Sequence, residues 1–375
     1  MKNALTHHRK SSKTEATQLK FTKLLLMMDT YWNFIEFHQI LQRLQRRWFS
    51  CSTGCCKILE SGRLILLVVL SNGPCTTAFL LADRSYDVWL GNFRGNTFSR
   101  RHTTLNPSTA EFWKFSWDEL GNHDITSSID YVLKFTGQPR LSYIGYSLGS
   151  AAVFMGAVKH QDLNSKIDIV IALAPLSTFA HAAIEVLRVF APWVDYLKRA
   201  LDFMGVYGWF DTDGLGDQIF KSFCEQTRTQ AQFCIDYFYN IFVGPSKNLD
   251  PDMIPLFNAN LMRGTSVKVI AQFAQNYNAG KTLQAYDFGR EGNMLRYGSH
   301  KPWTYDLRNV TVPVYVFSGG ADRVVTPLDV DWLLTQLGNL KGSTRLIDYN
   351  HLDFLFGIDV KERLYDKVVA LLPAP

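Results

Sequence analysis

Short apolar runs alternate with amphipathic stretches in two parts of the chain, one ending near Pro175 and one beginning after Trp303. From Asp124 to Gly137, Ile125, Ile129, Val132 and Leu133 share one side of a predicted helix, and Gly137 suits its C-cap. Leu141-Ser142-Tyr143-Ile144 predicts a strand, and Ser150, Ala151, Ala152, Gly156 and Ala157 beyond it predict a helix able to pack closely. Ile167 to Leu173 predicts a buried strand closed by Ala174-Pro175. Val312 to Phe317 is β-branched and aromatic, with its proline near the edge of the run, and predicts another. Thr326 is a suitable N-cap, Pro327 fits a first turn and Asp329 complements a helix dipole. Thr344 to Asp348 predicts a short strand. A last helix is expected from Asp359, with Glu362 three residues on as an Asp variant of the capping box and Leu364, Val368 and Leu371 inside. Strands alternating with helices give an α/β fold, a mostly parallel sheet with helices on both faces.

Between Ser177 and about Trp303 the pattern changes. Leu187, Phe190, Val194, Leu197 and Leu201 recur at helical spacing, interrupted by Pro192, and two aromatic clusters follow: Phe203, Tyr207, Trp209 and Phe210, then Phe233, Tyr237, Phe238, Tyr239 and Phe242. Such stripes ordinarily face a core. They also suit a helical cap whose apolar residues line a tunnel. The expected division is an aberrant or poorly ordered segment over 1–57, a first part of the α/β core over 58–177, a cap insertion over 178–303 and a second part of the core over 304–375.

Composition narrows the function classes. A chain of 375 residues with 47% hydrophobic and 14% aromatic content can bury a large core and keep apolar surface to spare. A net charge of +5, with no dense basic run interleaved with aromatics, argues against nucleic-acid binding. No segment reaches the ~20 apolar residues of a transmembrane helix. Cys51, Cys55 and Cys56 have no histidine at ligand spacing, so no metal is expected; no cofactor is expected either.

The chemistry concentrates at Gly145-Tyr146-Ser147-Leu148-Gly149, a G-x-S-x-G pentapeptide between a predicted strand and a predicted helix. A serine on that turn is exposed above a sheet, and the Leu148 N–H faces the position of an oxyanion. An acid and then a histidine must follow it in the chain. Asp322 sits in Ser318-Gly319-Gly320-Ala321-Asp322, just past a strand, where open α/β sheets carry functional groups. Of the nine histidines, only His351 follows Asp322. An imidazole takes the serine proton, and a carboxylate fixes and stabilises the imidazole. Acyl transfer to water through an acyl-serine is the predicted reaction.

From about Asn72 onward the chain resembles the acid lipase family of α/β-hydrolases. The resemblance rests on Tyr86-Asp87-Val88-Trp89-Leu90-Gly91-Asn92, Arg94-Gly95-Asn96, Ser99-Arg100-Arg101-His102, Phe115-Ser116-Trp117-Asp118-Glu119, Ala172-Leu173-Ala174-Pro175, Gln284-Ala285-Tyr286-Asp287-Phe288-Gly289 and Asn350-His351-Leu352-Asp353-Phe354. It implies an α/β-hydrolase with a helical cap and a triad of Ser147, Asp322 and His351. It also implies a neutral-lipid ester substrate, transient contact with a lipid interface, a secreted or lysosomal location and a disulfide between Cys224 and Cys234. Asn309-Val310-Thr311 is an N-glycosylation sequon, meaningful in a secretory protein.

Two places depart from the family. Its usual His-Gly-Leu or His-Gly-Ile, whose apolar residue gives the second oxyanion donor, is absent. One register sets Cys56-Lys57 in that place and makes Ile58 the donor. Another sets a strand at Leu64 to Leu70 and draws the donor from Ser71-Asn72-Gly73. The N-terminal segment holds one short apolar run, Leu24 to Met28, which does not read as an export signal. Three functions therefore stand: a lipase, a lipid-binding relative with a damaged oxyanion strand, or an acyltransferase on the same scaffold.

Overall fold

A computed structural model describes residues 65–69, 76–209, 224–255 and 264–375. All belong to one compact unit, Leu59–Pro375. In chain order the elements used below are β1 (Ile65–Val69), α1 (Thr76–Ala82), β2 (Asp87–Leu90), α2 (Thr126–Thr136), β3 (Leu141–Tyr146), α3 (Leu148–Lys159), β4 (Ile167–Leu173), α4 (Glu185–Phe190), α5 (Val194–Phe203), β5 (Gly208–Trp209), α6 (Arg228–Cys234), α7 (Asn240–Val243), β6 (Thr265–Ser266), α8 (Val267–Ala279), α9 (Gly289–Tyr297), β7 (Val314–Gly319), α10 (Pro327–Gln336), β8 (Leu340–Leu346), α11 (Asp353–Phe356) and α12 (Asp366–Leu371).

Among the described residues, six strands form one sheet in the order β2-β1-β3-β4-β7-β8, and every neighbouring pair is parallel. The fold is that of an α/β-hydrolase. β3 is buried along its whole length, as a central strand covered on both faces must be. Ile144 and Tyr146 point into a core shared with Leu81 of α1, Phe317 of β7 and Val368 of α12. Tyr143, one residue out of phase, lies on the opposite face, where its hydroxyl donates to the Gly149 carbonyl of α3 at 2.8 Å. α2 ends at Gly137 in the left-handed conformation, the C-cap its sequence predicts.

Two sequence expectations are corrected. The last strand starts at Leu340, four residues before the predicted start, and ends at Leu346. As the outermost strand it is buried fully only at Leu346, so Lys341, Gly342 and Ser343 fit it without apolar patterning. The expected capping box at Asp359 does not form. The Asp359 carboxylate accepts instead from Tyr349 Oη at 2.6 Å and Asn248 Nδ2 at 2.7 Å, and Val360 occupies the N-cap position.

Between β4 and β7 the chain leaves the sheet. Pro192 falls in the short 3-10 turn between α4 and α5, as its missing N–H requires. The apolar stripe on these helices is not core: neither α4 nor α5 has a buried residue. α6 runs through a π turn, Ile235–Tyr239, into α7, and its last residue, Cys234, is disulfide-bonded to Cys224. β5 and β6 pair antiparallel, and α8 follows directly.

A buried carboxylate ties this region back to the first part of the chain. Asp118 accepts from Tyr305 Oη at 2.6 Å and from the Tyr286 N–H at 2.8 Å. Burial pushes its pKa up, a cost partly offset by these donors. Next to it, Trp117 donates from Nε1 to the Val269 carbonyl at 3.0 Å. Tyr305→Phe removes one donor from a buried carboxylate, so it should lower stability by about 1.5–3 kcal/mol in denaturant titration. Ester turnover per folded molecule should be unchanged.

Candidate active site

The sheet register brings the carboxyl ends of five strands level. Val69 pairs with Gly145, Tyr146 with Leu173, Leu173 with Phe317, and Gly319 with Leu346. Ser147 follows β3 directly and takes φ 52° and ψ −117°, outside the regions open to an L-residue. Such strain costs on the order of 1–3 kcal/mol and persists only where its surroundings enforce it. Here they do. The Ser147 N–H donates to the Leu173 carbonyl at 2.9 Å, and its carbonyl accepts from Ser150 at 3.0 Å and Leu176 at 3.2 Å. Gly145 is demanded by close approach, because a Cβ there would lie 2.9 Å from the backbone of both Gly149 and Ser150. Leu148 is the first residue of α3, so its N–H has no intrahelical carbonyl to reach.

Asp322 lies on the loop after β7 with its side chain fully buried. Its Oδ1 accepts from the N–H groups of Val324 and Val325, both at 2.8 Å. Its Oδ2 lies 2.8 Å from His351 Nδ1, and His351 Nε2 lies 2.9 Å from Ser147 Oγ. Ser147, Asp322 and His351 therefore form one continuous chain of contacts, and each is at least nine-tenths buried. A carboxylate only accepts, so Nδ1 carries the imidazole proton and Nε2 is left to accept from the serine. Such an array can pass a proton from hydroxyl to ring while a fixed negative charge stabilises the resulting cation.

His351 is held from several sides. Tyr146 Oη donates to its carbonyl at 2.7 Å, and the Tyr146 ring packs 5.0 Å from the imidazole. Burial pushes the Tyr146 pKa well up, so the phenol remains a donor. Asn350 Oδ1 accepts from Leu352 at 2.8 Å and Asp353 at 3.0 Å, fixing the turn. Sequence reasoning missed Tyr146 as a support, although it stands inside the motif, and it missed the Val324 and Val325 amides, which act through backbone and leave no side-chain signal. Nor did it find a second His–Asp pair. His181 Nδ1 lies 2.7 Å from Asp329 Oδ1, and the His181 N–H reaches both Asp329 oxygens at 3.2 Å. This pair fastens the chain leaving β4 to the first turn of α10.

Ile58 and the Ser71-Asn72-Gly73 segment lie outside the described residues. The observed β1 falls within the Leu64–Leu70 run of the second register and ends beside the motif. Among the described residues, no group of three or more His, Cys, Asp or Glu side chains could hold a metal ion.

The family described as the alpha/beta hydrolase fold matches residues 71–203. Lipase lipl-1 of Caenorhabditis elegans is 36% identical over 311 residues, which cover 79% of this chain and 74% of that protein. Lipase member N of Mus musculus is 34% identical, covering 78% and 72%. Gastric triacylglycerol lipase of Bos taurus is 34% identical, covering 81% and 76%.

One carboxyl beside His351 gives the site a pH signature. Asp353 accepts from the Asn350 N–H and from Ser246 Oγ, both at 2.7 Å, yet burial pushes its pKa up to about 6. An acid raised in the folded state contributes stability that is fully present below its unfolded value and is lost as pH rises through about 6. The contribution is on the order of 2–3 kcal/mol. In Asp353→Asn the amide oxygen still accepts from Asn350 and the amide nitrogen donates to the Ser246 hydroxyl. Thermal unfolding from pH 4 to 7 should therefore show wild type losing stability relative to Asp353→Asn as pH rises. A constant difference would refute the assignment.

Proposed function

The chain belongs to the acid lipase family of α/β-hydrolases and is a serine ester hydrolase, and from that premise we propose that it cleaves neutral lipid esters with Ser147 as nucleophile, His351 as base and Asp322 as the acid behind it. The observation that carries this reading is the unbroken relay of 2.8 Å and 2.9 Å from Asp322 through His351 to Ser147. Ser147 Oγ attacks the ester carbonyl as His351 Nε2 takes its proton. The carbonyl oxygen becomes an oxyanion facing the Leu148 N–H, one donor of this kind being worth roughly 3 kcal/mol. His351 then returns the proton to the departing alcohol, leaving an acyl-serine. Water enters, His351 removes its proton, and the acid is released with Ser147 restored. The position of β1 supports a second oxyanion donor from the segment after it rather than from Ile58.

A lipid substrate is supported by the apolar surface between β4 and β7. Phe190, Trp193, Tyr196 and Leu197 are exposed, and Phe203 is 94% exposed. Together with Phe233, Tyr237 and Phe242 they give far more aromatic surface than a water-soluble substrate calls for. The same surface suits transient contact with a lipid interface. Among the described residues no helix is long and apolar enough to cross a membrane. The secretory pathway is supported by the Cys224–Cys234 disulfide, since oxidising compartments keep such bonds. It is further supported by exposed Asn309 in its sequon, placed before the amino end of β7 and thus away from Asp322.

Two outcomes test the reading. A fluorophosphonate probe should label wild type at Ser147 and leave Ser147→Ala unlabelled, while Asp322→Asn should lower kcat on the order of 10⁴-fold by favouring the wrong imidazole tautomer. Equal labelling of Ser147→Ala would overturn the assignment, and preference for p-nitrophenyl acetate over long-chain esters would overturn the lipid substrate. When the chain is expressed through a secretory pathway, peptide N-glycosidase should increase its gel mobility, and Asn309→Gln should remove that shift without changing ester turnover.

A further inference from the structure

The segment that follows α7 threads between the loops carrying Asp322 and His351. The Val243 carbonyl accepts from two backbone N–H groups at once, Arg323 at 3.2 Å and His351 at 3.3 Å. These are the residue after Asp322 and the histidine itself. The next carbonyl, Gly244, accepts from Asn350 Nδ2 at 2.7 Å. The stitching continues: Ser246 donates to Asp353 at 2.7 Å, the Ile358 N–H to the Asn248 carbonyl at 2.8 Å, and Leu249 bridges Gly357. Gly244 is buried at φ 106°, and a Cβ there would stand 1.9 Å from the Ala321 carbonyl oxygen. Only glycine lets the segment lie this close to the loop that carries Asp322.

The helix leading into this segment has two unlike sides. Ala231, Cys234, Ile235 and Tyr239 belong to the core that holds Tyr349 and Phe354, beside His351. Phe233, Tyr237, Phe238, Ile241 and Phe242 are exposed. We propose that Val243 and Gly244 form a backbone clamp that sets the spacing of the Asp322 and His351 loops, with Gly244 as a positioning residue. The triad is then aligned only while the helix of residues 228–243 is seated. This rests on the triad reading above and adds that its geometry is held from outside the sheet.

The test compares Gly244→Ala with Gly280→Ala, whose φ of 78° and ψ of −143° are also reserved for glycine but whose Cβ meets nothing within 4 Å. With p-nitrophenyl butyrate, Gly244→Ala should lose roughly 10²-fold in kcat with KM unchanged, the scale expected for misplaced reacting groups. Its rate of fluorophosphonate labelling should fall by the same factor. Gly280→Ala should lose Tm alone. Equal kcat in the two variants would overturn the clamp. Wild-type hydrogen exchange supplies a second test, which decides the matter if Gly244→Ala does not fold. The Arg323 and His351 amides should exchange together with those of Asn240 to Gly244, and protection that outlasts opening of that helix end would overturn the proposal. Exchange does not involve Ser147, so the clamp and the triad reading can fail separately.

Discussion

The parallel register of β1, β3, β4, β7 and β8 is the constraint on which the site depends. It sets Val69 against Gly145, Tyr146 against Leu173, and Gly319 against Leu346, so that three loops leave the sheet at one edge. In a strand the side chains alternate between faces, and a slip of one residue would exchange them. Moving β3 by one position would take Ile144 and Tyr146 out of the core and remove the Tyr146 hydroxyl from the His351 carbonyl. Burial thus enforces the register, and the register enforces the elbow. The strain at Ser147 is held by the Leu173 carbonyl and by the tight start of α3, both consequences of how β3 and β4 pair.

Much of this was legible in the sequence because it is carried by side chains with strong local signatures. Ile167–Leu173 is apolar everywhere but at Asp168, which pairs with Arg140 near the strand's start, because a central strand is covered on both faces. Thr326 declares an N-cap, and its hydroxyl does accept from the Asp329 N–H. The grouping of Ser147, Asp322 and His351 was expected from the order in which a hydroxyl nucleophile would need its acid and base. The three are 204 and 29 residues apart in their two contacts, distances that only the fold can close.

What escaped reading is equally physical. The amphipathic stripe of α4 and α5 announces helices without saying how deep they sit: Leu187, Val194 and Leu201 are only half-buried, and Phe190 and Leu197 are exposed. β8 begins in a polar stretch because an outermost strand is held by ladder bonds on one side and need not be apolar. Asp359 has the spacing of a cap, but Tyr349 and Asn248 compete for the same carboxylate and win it. The Val243 carbonyl has no sequence signature at all, since any residue but glycine or proline offers much the same backbone there.

These differences imply an uneven distribution of stability above the sheet. α4 and α5 have no fully buried residue, so displacing them exposes less new apolar surface than displacing a helix with a buried face. The helix of residues 228–243 is different. It buries Ala231, Cys234, Ile235 and Tyr239, and burying a large apolar side chain contributes about 1.5–3 kcal/mol. It is tied midway, at Cys234, by a disulfide and at its far end by Val243 and Gly244. Its displacement would break bonds that His351 and Arg323 make. The element that borders the loops of Asp322 and His351 is therefore costlier to displace than α4 and α5.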